Sequence, residues 1–336
     1  MQHNKLSGGR PSRESIVQHL VDAVGKLHEQ FGGLPAPSDA DQVWGEIWVH
    51  EAHHSTAIEG NTLVLSQVER LLSDGQAVGN GELREYLEVT GYATAARWVY
   101  SQALRDNDWV DRDIVTLTEI RQIHSLALGP AWDAVPHPAA SENEGPGSFR
   151  RHEIARFPGG MRPPSWVEVP GAMSDWVASV GEIARTENFI EVLASSHSEF
   201  ERIHPFLDGN GRTGRLVVNL ILVRLGYPPL IIYKRQRAKY LAALRKADEG
   251  SPGALGEMFA RAITDSLYRF IIPTHAGKDA LVPLAALASS SLNVASMKAA
   301  IDRGRLRAQK GDDGKWRSSR VWIDEYLESK YQRDRD

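Results

Sequence analysis

The sequence contains no cysteine in 336 residues, so disulfide bonds and thiolate metal sites are excluded. This absence fits the reducing cytosol. Apolar runs of about 18 residues, the length that crosses a bilayer, are also missing. The N-terminal stretch is polar and lacks the apolar middle of a secretory signal. We therefore expect a cytoplasmic protein that has no membrane partner.

A large excess of charge of one sign is missing as well. The formal net charge is -4, from 39 Lys and Arg residues and 43 Asp and Glu residues. This balance argues against a chain that coats nucleic acid along its whole length, but it leaves room for a local basic patch. The hydrophobic content of 42% is ordinary for a globular protein, and the length predicts two or three domains.

Apolar residues recur with helical spacing along most of the chain, which predicts a mainly α fold. The predicted helices cover 16–27, 42–60, 83–104, 114–126, 172–185, 189–203, 216–225, 238–247 and 253–270. Between residues 129 and 170, eight prolines interrupt this pattern. Short β-like pieces around Phe149 and Ile154 predict a loop with a β-hairpin there.

The segment 204–215 carries most of the chemical information. It reads His-Pro-Phe-Leu-Asp-Gly-Asn-Gly-Arg-Thr-Gly-Arg. Because it lies between two predicted helices, its free N–H groups and the positive end of the following helix dipole predict an anion site. Gly209, Gly211 and Gly214 let the backbone approach a ligand without an intervening Cβ.

The side chains of this segment favour transfer of a group from a nucleotide. Arg212 and Arg215 can each add a charge-assisted contact to phosphate, worth about 1.5–3 kcal/mol. Asp208 is a lone carboxylate of the kind that holds Mg²⁺ beside bound phosphates. His204 is the only histidine of the segment and is the candidate general base for a hydroxyl nucleophile.

Two other loop types fit the segment less well. A calcium loop that began at Asp208 would need Asp or Asn at its fifth position and Glu at its twelfth, where the sequence has Arg212 and Asn219. A P-loop needs a Gly-Lys-Ser/Thr ending and a preceding strand, and neither is present.

The segment resembles the Fic family signature, His-Pro-Phe-x-Asp/Glu-Gly-Asn-Gly-Arg-x-x-Arg, at every specified position. The resemblance extends over roughly residues 40–270 in the order of elements. It implies a Fic-type helical bundle with a β-hairpin flap, which transfers AMP from Mg-ATP to a Ser, Thr or Tyr hydroxyl of a protein. By the family's mechanism, His204 deprotonates that hydroxyl and Asp208 holds Mg²⁺.

The same resemblance assigns the contacts to the phosphates. Arg212 and Arg215 would bind the β and γ groups, and Phe206 would pack in the core. The backbone that cradles the nucleotide would come from the loop residues Gly209, Asn210, Gly211, Thr213 and Gly214.

Two further regions resemble family elements around the nucleotide. The segment 147–158 resembles the flap, which clamps the target by β-strand addition; Ile154, Ala155 and Arg156 would lie over the nucleotide. Tyr240 and Asp248 fall where relatives place an adenosine-contacting tyrosine and a polar partner. Relatives often have Asn at the second position, and Tyr240 fits an ordinary core position equally well.

Upstream, Ser55-Thr-Ala-Ile-Glu59-Gly-Asn61 resembles the inhibitory motif of the Fic class with an N-terminal inhibitory helix, here about 42–60. Ser55 and Glu59 are four residues apart and so share one helix face. If this helix packs beside the loop, Glu59 can pair with Arg215 and occupy the partner that the γ-phosphate needs. The alternative is an ordinary exposed glutamate near a helix end.

The composition changes after residue 277, and we predict three regions: an N-terminal helical region 1–110, a catalytic core 111–272 and a small domain 278–336. In the last region, helices at 281–287 and 294–303, two strands around the turn 312–314 and a helix at 322–331 resemble a winged helix-turn-helix. Eight basic residues lie between 298 and 320. They suit contact with DNA phosphates, although a protein-docking or dimerisation module is an equal alternative.

These patterns leave two other functions open. One is a DNA-binding regulator with a secondary Fic activity. The other is a Fic enzyme that transfers another phosphate-containing group or removes AMP, but Gly211 stands where a phosphate-transferring branch has Lys, which favours AMP transfer. The family resemblance also suggests a homodimer, and the hydroxyls of the N-terminal tail make the chain itself a candidate target.

Overall fold

The computed structural model describes residues 11–35, 41–104, 109, 113–157, 160–186, 188–275, 277, 279–284, 287–288, 292–311 and 314–333. The chain is mainly helical, as the spacing of apolar residues predicts. The helices of the main body are α1 (Arg13–Phe31), α2 (Asp41–Ile58), α3 (Leu65–Asp74), α4 (Leu83–Ala103), α5 (Leu117–Ala134), α6 (Val169–Gly181), α7 (Phe189–Ile203), α8 (Asn210–Arg224), α9 (Arg237–Asp248) and α10 (Gly253–Ser266). A π-helical turn, Leu267–Ile271, and a short helix α11 (Ile272–His275) follow α10.

The C-terminal region holds a small antiparallel sheet between two helices. Its elements are β1 (Val282–Pro283), α12 (Val294–Asp302), β2 (Gln309–Lys310), β3 (Trp316–Ser318) and α13 (Arg320–Arg333). The strand order is β1-β3-β2, with Val282 opposite Ser318 and Lys310 opposite Trp316. The predicted hairpin is confirmed. The predicted helix at 281–287 is wrong, because Val282 and Pro283 pair with β3 as an edge strand.

Two hydrophobic cores organise the described residues. One runs continuously from Ile16 in α1 to Ile271 in the π-helical turn. The second lies within the C-terminal region and is built from Leu284, Leu292, Met297, Ala300, Leu306 and Ile323. This second core is separate from the first. The predicted boundary at 110 and 111 lies outside the described residues.

Helix α8 crosses the middle of the main body, and its residues are almost all buried. Helix α5 begins with a capping box, and the glutamate of this box also binds α8. Thr116 Oγ1 accepts a hydrogen bond from the Glu119 N–H at 3.2 Å, and Glu119 Oε2 accepts one from the Thr116 N–H at 2.9 Å. Glu119 Oε1 also accepts from Arg224 Nη2 of α8 at 2.6 Å. A local cap and a buried ion pair therefore share one carboxylate.

The structure differs from the predicted elements at four further places. Helix α5 continues through Pro130, which removes a single backbone donor inside the helix. Residues 147–157 of the flap contain no strand, so the predicted β-hairpin is wrong there. Helix α8 begins at Asn210, within the motif, and not at Leu216 as predicted. Its first residues are polar, so a search for apolar spacing does not detect them. Helix α3 was not predicted; Val68 is its single buried apolar residue, so it lacks a stripe of buried apolar residues.

Within the described ranges, every helix is too short or too polar to cross a membrane.

Helices α4 and α5 approach most closely at Gly91. A Cβ placed on Gly91 would lie 2.4 Å from the carbonyl oxygen of Ala127, which is backbone and cannot turn aside. We expect Gly91→Ala to lower the free energy of unfolding by about 1–3 kcal/mol, as overpacked sites do. Gly25, an exposed position in α1 with no atom within 4 Å of an added Cβ, is the matched control.

Gly25→Ala should raise the free energy of unfolding by about 0.5–1 kcal/mol, since alanine costs less backbone entropy in a helix. Urea unfolding followed by circular dichroism measures both variants. Equal effects of the two substitutions would contradict the close α4–α5 approach.

Candidate functional site

The segment 204–215 forms the junction between α7 and α8. Helix α7 ends where His204 takes up a left-handed backbone conformation, with φ of 51°, and its N–H donates to the Phe200 carbonyl at 3.0 Å. Among the described residues, His204 is the one non-glycine residue with positive φ. Gly209, with φ of 78°, supplies the second left-handed turn just before α8. The chain thus reverses sharply and points the N-terminus of α8 at the space beside His204.

Asn210 and Phe206 hold this junction rigid. The Asn210 side chain accepts from the Phe206 N–H at 2.9 Å and donates to the Phe206 carbonyl at 2.8 Å. Phe206 is fully buried, as predicted, and its ring stacks on His124 with centroids 3.7 Å apart. Since the Asn210 amide is used in this way, only the backbone of Asn210 is available to a ligand.

His204 is held in the orientation of a base. Its Nδ1 lies 3.3 Å from the Glu201 carbonyl, so in the neutral ring Nδ1 carries the proton and Nε2 carries the lone pair. The Phe157 ring packs beside it at 4.8 Å. Burial lowers the pKa of His204 to about 4, the Glu201 carbonyl opposes this shift, and the charge of Arg150 adds to it. The imidazole is therefore neutral at physiological pH.

Two buried side chains tie the flap segment to the junction. His124 accepts from the Gly147 N–H at 2.8 Å through Nδ1, so its Nε2 carries the proton and donates to the Asp208 carbonyl at 2.9 Å. Arg150 is fully buried. Its guanidinium donates to the carbonyl of His204 at 2.9 Å, to that of His152 in the flap at 3.0 Å and to that of Pro164, beyond the flap, at 2.7 Å. The flap and the His204 backbone are thus one hydrogen-bonded unit.

A cavity of about 490 Å³ opens beside His204. The predicted residues on its wall are Glu59, His204, Gly211, Arg215 and Tyr240. The remaining wall residues are Ile58, Phe157, Met161, Glu201, Arg237, Leu241, Leu244 and Arg245. The sequence analysis missed this second set. Four of these residues belong to α9, which also carries Tyr240, and Phe157 lies within the predicted flap segment itself.

Arg215 is buried in the wall of this cavity and binds the end of α2. Its Nε donates to Ser55 Oγ at 2.8 Å, and its Nη2 donates to the Ser55 carbonyl at 3.0 Å and to Glu59 Oε1 at 2.8 Å. Although burial acts to lower it, the pKa of Arg215 is raised above its ordinary range by Glu59 and by Tyr240. The predicted contact of Glu59 with Arg215 is thus present.

Asp208 lies at the opposite side of the junction between two arginines. Its Oδ2 accepts from Arg84 Nη2 of α4 at 3.1 Å, and its Oδ1 accepts from Arg212 Nη2 at 3.2 Å. Although burial opposes ionisation, Arg212, the Gly209 N–H and Arg84 keep the pKa of Asp208 below its ordinary value. Arg84 is an addition to the predicted site, and it comes from a helix more than a hundred residues upstream.

The surroundings of Asp208 fit a magnesium ion that arrives with a nucleotide. In the described part of the chain, no group of three or more His, Asp or Glu side chains is arranged as a metal site. A lone ionised carboxylate suits Mg²⁺ when phosphate oxygens and water supply the other ligands.

Two other predicted loop residues serve packing. Thr213 is fully buried, and its Oγ1 lacks a hydrogen-bond partner among the described residues. A Cβ on Gly214 would lie 2.7 Å from Glu201 Oε1, so Gly214 lets α7 and α8 approach closely. Their predicted roles toward phosphate are limited to the backbone.

Of the residues predicted to contact adenosine or to lie over the nucleotide, only Tyr240 lines the described cavity. Tyr240 reaches the cavity wall, where its hydroxyl lies 2.6 Å from His197 Nε2. Asp248 is outside the cavity and pairs with Arg202 at 3.2 Å. Ile154, Ala155 and Arg156 are also absent from the described wall, and in their place Phe157 and Met161 line the cavity.

Known proteins resemble the chain in sequence. Residues 114–222 match the sequence model of the Fic/DOC family. A protein named protein adenylyltransferase Fic from Culex quinquefasciatus is 32% identical over 264 residues, which is 74% of this chain and 47% of that protein. Its namesake from Drosophila willistoni is 34% identical over 256 residues, with the same two shares. The chain spans about half the length of the curated relatives it matches.

Solved structures resemble it in fold. Fic-1 from C. elegans superposes with a TM-score of 0.62 at 28% identity, covering 76% of this chain and 71% of that one. A Fic family protein from Desulfovibrio desulfuricans superposes with a TM-score of 0.55 over 94% of this chain and 98% of its own, and its 22% identity bears on the fold alone. The main body is therefore a Fic-type helical fold, and residues 114–222 of the chain form a Fic/DOC domain.

Proposed function

We propose that this protein transfers AMP from Mg-ATP to a Ser, Thr or Tyr hydroxyl of a protein. One observation carries the proposal: His204 and the N-terminus of α8 belong to one junction, and both border one cavity. The relatives named protein adenylyltransferase Fic support the same chemistry. A cytoplasmic setting would supply both Mg-ATP and protein targets.

The transfer step needs a base, a charged cradle and a leaving group. His204 Nε2 takes the hydroxyl proton while the hydroxyl oxygen bonds to the α-phosphorus and the bond from that phosphorus to the bridging oxygen breaks. Diphosphate leaves with the electron pair. Arg212, Arg215 and the N–H groups at the start of α8 hold the charge on the phosphates. Asp208 would hold Mg²⁺, which neutralises phosphate charge when it is bound.

We further propose that the contact between Glu59 and Arg215 is an inhibitory brake. Arg215 Nη2 lies 2.8 Å from Glu59 Oε1, so the guanidinium is occupied by a carboxylate where a γ-phosphate would bind. A Cβ on Gly211 would lie only 2.4 Å from the same oxygen, which means that Glu59 covers the phosphate cradle itself. Homodimerisation, self-modification and removal of AMP are finer parts of this proposal.

Replacing the two central residues should have opposite effects. Glu59→Gly should raise AMP transfer at least tenfold, about the effect of 1.4 kcal/mol, because it frees Arg215 for the γ-phosphate. His204→Ala on the Glu59→Gly background should abolish transfer, because the base is lost. Label from α-³²P-ATP on protein, with mass spectrometry of the adduct, measures both variants with added lysate as a source of targets.

Glu142→Gly is the matched control, since Glu142 is an exposed loop glutamate that should leave the rate unchanged. A Glu59→Gly variant that binds ATP but forms no AMP adduct would contradict AMP transfer. An adduct that forms at the wild-type rate would contradict the brake alone.

The lowered pKa of His204 sets the acid limit of the reaction. A base must be neutral, so a pKa of about 4 keeps His204 competent well below pH 6.5. On the Glu59→Gly background, kcat/KM for Mg-ATP should stay nearly level from pH 7.5 to about 5 and decline only as the pH approaches 4. Circular dichroism at each pH controls for unfolding. A decline with a midpoint near 6.5 would mean that His204 is solvated like a free imidazole.

We also propose DNA contact by the C-terminal unit as a second, separate function. Lys298, Arg303, Arg305 and Arg307 are exposed around α12, on a unit that has its own core. The full chain should then bind duplex DNA with an affinity that falls steeply as salt rises.

Arg303→Glu with Arg305→Glu should reduce that binding at least tenfold, whereas Arg70→Glu, an exposed arginine on α3, should not. Fluorescence anisotropy with labelled DNA measures the affinities. Absence of binding at 50 mM salt would leave a protein-docking role for these residues.

A further inference from the structure

The ion pair of the brake does not by itself keep Glu59 at Arg215. The Glu59 side chain is 41% exposed, whereas that of Arg215 is 5% exposed. The buried arginine needs a negative partner, but this need does not select Glu59 over another anion. A phosphate group carries more charge than a carboxylate and competes for the same guanidinium. The position of Glu59 must therefore depend on how α2 is fastened further back along the helix.

Glu51 lies on the same face of α2, two turns before Glu59. Glu51, Ser55 and Glu59 are spaced four residues apart, which directs all three side chains toward α8 and α4. Ser55 and Glu59 reach Arg215, as described above. Glu51 is only 2% exposed and lies deepest.

A buried network joins Glu51 to two other helices. Glu51 Oε2 accepts from the Tyr100 hydroxyl of α4 at 2.5 Å, and Glu51 Oε1 accepts from Asn219 Nδ2 of α8. Tyr92 of α4 also faces Glu51. Asn219 is held in turn by the Leu230 backbone, which it binds through both ends of its amide, at 3.1 and 2.8 Å.

We propose that Glu51, as a neutral carboxylic acid, is the positioning residue that fastens α2 in the register that places Glu59 on Arg215, and that its ionisation loosens the brake. This inference rests on the proposed AMP transfer and its brake, and it adds their regulation. The mechanism needs no contact between Glu51 and the nucleotide.

The surroundings of Glu51 favour the neutral acid. Burial raises its pKa to about 8, and the hydrogen bonds from Tyr100 and Asn219, the nearby Tyr92 and the charge of Arg215 only partly oppose this shift. Arg215 is already neutralised by Glu59. Ionisation would thus leave a buried carboxylate without a full counter-charge, which a docked helix tolerates poorly.

Three other side chains of α2, the histidines His50, His53 and His54, respond to acid. Burial lowers the pKa of His50 to about 4 and that of His54 to about 3, and it also lowers the pKa of His53. Cations facing these rings act in the same direction; they are Lys234, Arg235, Arg269 and Arg320. If α2 leaves its site, these histidines regain a pKa near 6.5, so undocking takes up protons only below that pH.

These two sets of groups define a pH window in which Glu51, but not the histidines, changes the docking of α2. Glu201 of α7, whose pKa burial also raises to about 8, interacts with Arg215 and Glu59, and it is retained in every variant compared below. When α2 undocks, the pKa of Glu51 falls from about 8 toward 4.5, so undocking releases a proton between these values and becomes up to tenfold more favourable per pH unit. Above pH 8 the docked acid is itself ionised and the effect levels off. Below pH 6.5 the histidines oppose it. From pH 6.5 to 8, the brake should weaken by up to about 30-fold, which is tenfold per unit over 1.5 units.

The brake ratio, defined as the AMP-transfer rate of the Glu59→Gly background divided by that of the same protein with Glu59, isolates this effect from the chemistry. Measured in steps from pH 6.5 to 9, the ratio of the wild type should fall as the pH rises to 8 and then stay level. Glu51→Gln keeps the shape of the neutral acid and cannot ionise; its amide oxygen can accept from Asn219 and its amide N–H can donate to the Tyr100 hydroxyl oxygen. It should show a high ratio that changes far less with pH than that of the wild type. Glu46→Gln is the control on the same helix; Glu46 pairs with Arg320 at the surface and its loss should leave the wild-type profile.

A ratio that falls equally in the Glu51→Gln protein, or that is level in the wild type, would overturn the proposal. If Glu51→Gln does not fold, carboxyl ¹³C NMR of the wild type decides the matter, since a Glu51 midpoint near 4.5 overturns it and one near 8 supports it. An inactive Glu59→Gly protein would refute the proposed AMP transfer itself. An active one with a level ratio would refute only the role of Glu51.

Discussion

The structure depends on the need to neutralise Arg215. This arginine is buried at the wall of the cavity, and a buried cation left without a counter-charge is strongly destabilising, by about 3–5 kcal/mol. Two groups can meet that need, the carboxylate of Glu59 and the phosphate of a nucleotide. Because both would use the same guanidinium, docking of α2 and productive binding of a triphosphate exclude each other in the proposed mechanism. The competition follows from burial and charge alone.

The junction around His204 has the rigidity that such a site requires. A non-glycine residue with positive φ is strained and persists where its surroundings fix it. Here Arg150 binds the His204 carbonyl, while His124 binds the Asp208 carbonyl and the Gly147 amide. Arg150 and His124 also bind the flap. The segment expected to hold a target is therefore held in a fixed position relative to His204.

The sequence predicts the local parts of this site and misses the distant ones. The buried Phe206 is predictable because it belongs to a continuous motif, and the contact of Glu59 with Arg215 is predictable because a family resemblance joins two such motifs. Arg84 and Glu51 carry no such signal, since each looks like an ordinary charged residue of an amphipathic helix. Their roles arise from packing against residues more than a hundred positions away.

Helix boundaries failed for a related reason. The start of α8 is polar where it borders the cavity and neighbouring side chains, so the apolar pattern begins six residues late, at Leu216. The edge strand at Val282 depends on pairing with β3, which no local propensity specifies. The flap segment resembles a hairpin in sequence, yet its backbone bonds go to His124, Arg150 and the junction, and these replace a strand partner.

The polar residue at position 51 is explained better by the need to fix the register of α2 than by its effect on the free energy of unfolding. An apolar side chain there would fill the same space and avoid the desolvation of a carboxyl group, and such replacements often stabilise proteins. It could not, however, distinguish one helical register from another. A helix that turns by one residue rotates by about 100°, which would carry Ser55 and Glu59 away from Arg215 altogether. Because the hydrogen bonds of Glu51 to Tyr100 and Asn219 are directional, they select the one register in which the brake contacts its arginine.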